Sequence, residues 1–140
     1  MKIGAILIGV LSFMSFAQAK DFAVGQVWEY KTRAVEPNSF LTIVKIENVK
    51  DKTIIHISLE NVKIKNSHAP SGYGESVSHM PIAKQSLKES VTKLLKSNAK
   101  LPAYEEGYNL WREAFEKGEG GYFTISVSKC IEFMEQTINK

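Results

Sequence analysis

Phe40–Lys65, FLTIVKIENVKDKTIIHISLENVKIK, is the longest run rich in β-branched residues in this 140-residue chain, and it specifies a sheet. Successive side chains of a strand point to opposite faces, so apolar residues two apart share one face. Ile55, Ile57 and Leu59 fall together on one face; Ile54, His56 and Ser58 make the mixed face of an antiparallel sheet. After Leu59 the apolar phase slips, because Val62 and Ile64 have the other parity. That slip predicts a tight turn or a bulge at Glu60 and Asn61. Upstream, Phe40, Leu41, Ile43, Val44 and Ile46 read as a central strand with both faces covered. A hairpin over 48–52, with Asn48 and Asp51 as turn formers, joins the two strands.

Ahead of this stretch, Val27 to Arg33 alternates Trp28, Tyr30 and Thr32 with Glu29, Lys31 and Arg33, the pattern of a first strand with a polar outer face. Glu36, Pro37, Asn38 and Ser39 supply the turn out of it. Behind the stretch the periodicity stops. Asn66 to Met80 holds Asn66, Ser67, Pro70, Ser71, Gly72, Gly74 and Ser76 and reads as a long loop carrying His68, Tyr73 and His79. A loop of that length in a small domain is characteristically functional, with disorder as the rival reading.

Pro81 stands where a helix can open. Leu87, Val91, Leu94 and Leu95 recur at helical spacing and predict an amphipathic helix from about Ala83 to Lys96, with Lys84, Lys88, Lys93 and Lys96 outside its apolar stripe. A lysine face of this kind is normally solvated. Tyr104, Tyr108, Trp111 and Phe115, spaced by four, three and four, predict a second helix ending near Gly118. The stripe has the spacing of a core face, with a ligand platform as the alternative. Gly107 costs that helix about 1 kcal/mol relative to alanine, which implies a close neighbour. Tyr122 to Ile125 reads as a short last strand, and Ser126 or Ser128 caps a final helix through Val127, Ile131, Met134 and Ile138. The order β-β-β-(β)-α-α-β-α predicts an α+β fold. It is expected to be an antiparallel sheet of four to five strands, an N-terminal meander plus one late strand, packed on one face by about three helices.

Met1 to Ala19 has a Lys2, an apolar core from Ile3 to Phe16 and an Ala17-Gln18-Ala19 end. These are the parts of a secretory signal peptide cleaved between Ala19 and Lys20, leaving a single domain over 20–140 in the periplasm or outside the cell. The apolar run is short for a membrane span. Without Lys2 there remain 17 basic residues against 15 acidic ones, a balance too even to specify nucleic acid or an anionic membrane as partner. Cys130 is the only cysteine, so no internal disulfide can form, and the core alone must supply stability. Cys130 reads as a core residue of the last helix rather than a reactive thiol.

No catalytic, cofactor or metal motif is present. His56, His68 and His79 lack the local spacing of metal ligands; His68 and His79, with Glu75, would have to meet through the fold. His56 and Ser58 share a strand face and Ser78 precedes His79, but no nucleophile elbow surrounds either serine. VGQVWEYKTR (24–33), SHMPIA (78–83), LPAYEEGYNLWREAF (101–115) and YFTISVSKCIEFMEQT (122–137) together make most of the mature chain resemble a family of small exported bacterial proteins of unassigned function. The resemblance implies an envelope location and no activity.

Size, export and the lack of a catalytic grouping point to a non-enzymatic module that binds another envelope protein, in the manner of an inhibitor or immunity protein. The expected contact surface is Glu29, Lys31, Arg33 and His56 on the first strands, with His68, Tyr73 and His79 of the loop. The alternative is a small-ligand-binding or hydrolytic protein that uses a pocket between sheet and helices, lined by His56, His79 and the aromatic helix.

Overall fold

The computed structural model describes residues 21–140; the expected signal sequence, with its cleavage point between Ala19 and Lys20, lies outside the described residues. The elements run β1 (Val27–Tyr30), β2 (Phe40–Val49), β3 (Lys52–Lys65), β4 (Tyr73–Ala83), α1 (Lys84–Ser90), β5 (Val91–Lys96), α2 (Glu105–Glu116) and α3 (Val127–Ile138). The five strands form one antiparallel sheet in the order β4-β3-β2-β1-β5, so the fold is α+β as its sequence predicts.

The organising stretch is the β2–β3 hairpin. Its tip is Lys50–Asp51, with Lys50 at φ 57°, and Thr53 donates to Asn48 Oδ1 across the turn at 2.9 Å. Register then sorts the side chains by face. Leu41, Ile43 and Ile46 lie opposite Leu59, Ile57 and Ile55, and the last two of these lie opposite Met80 and Ile82. These residues join Trp28, Tyr30, Leu87, Val91, Val127, Cys130 and Ile131 in one core, so α1 and α3 cover this face. Burial of each such aliphatic side chain contributes about 1.5–3 kcal/mol.

β3 keeps one apolar face along 14 residues only because it bulges. The register with β4 slips between Glu60 and Ile64, and Asn61 takes φ 57°, which returns Val62 and Ile64 to the core. The slip is therefore a bulge within a continuous strand, not a turn. A second bulge, at Val44, lets Lys45 rather than Val44 stand opposite His56.

Four expectations are corrected. The segment 66–80 is not one long loop, because β4 begins at Tyr73. Its serines and glycine hide the alternation of an edge strand, whose buried residues are Val77, Met80 and Ile82. The helix expected to reach Lys96 stops at Ser90, where Ser90 Oγ donates to Ser86 O and accepts from the Val127 N–H. Val91 is then drawn into the sheet opposite Tyr30, and β-branched Val91 and Thr92 suit the strand that follows. The late strand at Tyr122–Ile125 reduces to a parallel bridge between Phe123 and Ile82, held by Ala83 N–H to Phe123 O at 2.8 Å and Phe123 N–H to Pro81 O at 3.0 Å. Finally, the helices do not share a face, since α2 packs on the side of the sheet that carries His56 and His79.

Asn61 occupies the left-handed region, which favours glycine over a β-branched residue. Asn61→Gly is expected to leave urea-unfolding stability within about 0.5 kcal/mol of wild type, and Asn61→Val to lower it by about 1–2 kcal/mol.

Candidate functional site

On the α2 side of the sheet, three neighbouring strands each place one polar residue beneath the helix. β2 supplies Glu47, β3 supplies His56 and β4 supplies His79. His56 Nδ1 lies 2.8 Å from His79 Nε2, and the rings stack at 5.0 Å. His56 Nε2 lies 2.8 Å from Glu47 Oε1, an ion-pair distance, although the two atoms are out of line for a hydrogen bond and both are sealed from solvent. A carboxylate beside Nε2 keeps a proton there, so His56 Nδ1 accepts from His79 Nε2–H. The chain Glu47–His56–His79 then ends on His79 Nδ1.

The bulge in β4 makes this possible. Ile57 pairs with Met80 and Leu59 with Val77, so Ser78 and His79 both face Ser58 and the strand turns His79 toward His56. Ser58 Oγ donates to Ser78 O at 2.6 Å and pins the bulge.

α2 closes over the cluster with rings. Tyr108 and Trp111 meet His56 edge-on at 5.0 and 4.8 Å, and Phe115 stacks on Trp111 at 4.7 Å. Trp111 donates to Gly121 O at 2.7 Å. Arg112 Nη1 reaches Glu47 Oε2 at 2.5 Å while its Nε holds Glu116 at 2.7 Å. Gly107 has the close neighbour its presence implied: a Cβ there would come within 3.0 Å of His79 Cβ and 3.3 Å of Ser78 Oγ. The aromatic stripe is nevertheless not core, since no residue of α2 is fully buried. It roofs a polar cluster instead of joining the aliphatic one.

Burial is the largest influence on both imidazoles and lowers both pKa values. For His56 the attraction of Glu47 opposes it, and Lys45 and Arg112 reinforce it. His79 falls to about 4, with the neighbouring His56 adding to the effect of burial. Desolvation and the nearby Glu47 carboxylate raise the Tyr108 phenol. Both histidines are therefore neutral at pH 7. Chemically the chain can polarise His79 as a proton acceptor, but the clefts at the β2–β3 hairpin tip, under 99–103 and beside Arg33 are lined by other residues. Among the described residues, no three His, Cys, Asp or Glu side chains converge as a metal site.

The other sequence-derived residues are dispersed. His68 sits in the 66–72 connection with its N–H on Asn66 Oδ1. Glu29 lies on β1 opposite Phe40 and Lys93, and Lys31 Nζ donates to Glu89 O. Arg33 and Tyr73, 40 positions apart, line one cleft of about 300 Å³ with Val35, Lys63, Lys65 and Glu135. Arg33 is a clamp there, holding the fully buried Glu36 carboxylate through two bonds of 2.7 and 3.0 Å and Glu135 at 3.2 Å. Cys130 is fully buried, and burial pushes its thiol up to about 12. Sequence reasoning missed Glu47, Lys45 and Arg112. Glu47 was detectable as the one acidic residue of β2, with the same parity as Lys45.

Comparison with known proteins finds no matching family, no matching curated protein and no matching solved structure.

Removing one partner of a buried ion pair leaves the other charged and unpaired. Arg33→Ala is therefore expected to cost about 3 kcal/mol in urea unfolding, with the Lys63 N–H remaining on the buried Glu36 carboxylate but no cation beside it, and Arg33→Lys to recover only part of that.

Proposed function

We propose that the protein is an exported, non-enzymatic module that binds another protein of the cell envelope. The observation that carries this reading is the cleft between the β1–β2 loop and the start of β4. There the exposed Val35 and the half-open ring of Tyr73 stand beside Lys63 and Lys65. Lys63 Nζ lies 4.8 Å over the Tyr73 ring, which presents the aromatic face already oriented. An aliphatic residue, an aromatic ring and fixed cations around a shallow depression are the ingredients of a binding hot spot.

The clamp beneath it suits that role. Arg33 ties the loop to Glu36 and to α3 through Glu135, and Glu135 also accepts the Lys65 N–H at 2.7 Å. A contact surface held this firmly loses little conformational entropy on binding. The amino-terminal signal sequence supports the envelope location, and among the described residues no helix is long and apolar enough to cross a membrane.

Affinity capture of the tagged mature chain from a periplasmic extract is expected to retain one stoichiometric protein, and Tyr73→Ala and Val35→Asp are each expected to release it without changing the melting temperature. Retention of the same protein by both variants would remove this surface from consideration. Capture of nothing above background would overturn the binding reading itself.

A further inference from the structure

We infer that the Glu47–His56–His79 cluster is an acid-sensitive latch that holds α2 on the sheet at neutral pH and releases it when a second proton enters the pair. Two imidazole nitrogens 2.8 Å apart share one proton comfortably as donor and acceptor, and cannot both carry one. A first added proton enters at His79 Nδ1, and passage of the bridging proton from His79 Nε2 to His56 Nδ1 moves the positive charge beside the Glu47 carboxylate, 2.8 Å from His56 Nε2. A second would place two cations in van der Waals contact, with that one carboxylate on the far side of His56 from His79.

The surrounding charges sharpen the effect. β2 contributes Glu47 and also Lys45, whose Nζ sits 5.0 Å over the Tyr108 ring. α2 contributes Arg112, which already draws on the other Glu47 oxygen, and Tyr108, a neutral phenol. β3 and β4 contribute the two histidines themselves. A doubly protonated pair would thus join Lys45 and Arg112 to make four cations, set against Glu47 beneath the helix and the exposed Glu116 that pairs with Arg112.

The weakest boundary around this cluster is α2. The strands beneath are joined by the sheet ladder, whereas α2 has no fully buried residue and meets the sheet through Gly107, Tyr108, Trp111 and Arg112 at the cluster. The opposite face keeps its own aliphatic core under α1 and α3, so the sheet can outlast the loss of α2.

Both imidazoles are lowered when α2 is docked and return toward 6.5 when it is released, so the released form binds more protons. Docking is at full strength above about pH 6.5 and is lost as pH falls toward 4.

Hydrogen–deuterium exchange of the mature chain from pH 7 to pH 4, expressed as protection factors, tests the latch. Protection of 105–116 is expected to fall by about tenfold per pH unit for each proton taken up, while 54–59 in β3 stays protected. His79→Asn, which keeps a hydrogen-bond donor for His56 but cannot take a proton, is expected to hold α2 protected to pH 4. Loss of protection in α2 and β3 together would identify global acid unfolding and overturn the inference. Unchanged protection of α2 at pH 4, or the same transition in His79→Asn, would overturn it equally.

Discussion

A histidine with no solvent exposure, bridging a carboxylate and a second histidine from the middle of a sheet, is the constraint to which one whole side of this protein answers. Burying such a group is costly unless its polar atoms are engaged. His79 engages Nδ1 and the Glu47 carboxylate stands 2.8 Å from Nε2 without the alignment of a hydrogen bond, and each needs its own partner: Arg112 for the second Glu47 oxygen, and the β4 bulge pinned by Ser58 for the approach of His79. The contacts that place α2 are the remaining part of this arrangement.

The sheet consequently separates two kinds of chemistry. One face is a conventional aliphatic core under α1 and α3, continuous along β3 because the Asn61 bulge restores its phase. The other is polar, roofed by rings and conditional on protonation. The proposed contact surface around Val35 and Tyr73 is built on the β1–β2 loop, β3, β4 and α3. Its anchoring ion pairs, Arg33 with Glu36 and Glu135, do not pass through α2. In the proposed arrangement α2 responds to pH while the sheet and the cleft beside Arg33 persist.

Legibility in the sequence followed how local the determining interaction is. The hairpin, the phase slip after Leu59, the aromatic helix and the Ser126 cap each depend on residues a few positions apart, and each could be read off. Gly107 could be read as a close approach, though not what it approaches. The conversion of Val91–Lys96 from helix to strand depends on pairing with β1, some 60 positions earlier, and helical spacing of its leucines conceals it. β4 was hidden because an edge strand with a bulge needs few apolar residues, and its serines and glycine imitate a loop. The cluster was half visible. His56 and His79 stood out as residue types, but only the antiparallel registers of three strands bring them together with Glu47, and a face-by-face reading of β2 was the one signal for the carboxylate.

The protonation state of the imidazole pair decides the acid response, and long-range ¹H–¹⁵N correlation spectra of the histidine rings at pH 7 read it directly. Both His56 and His79 should be neutral, His56 carrying its proton on Nε2 toward Glu47, and His79 carrying its proton on Nε2 toward His56 with Nδ1 bare. An imidazolium at either position at pH 7, or a His56 proton on Nδ1, would contradict the carboxylate-polarised chain on which the site, the placement of α2 and the acid response all depend.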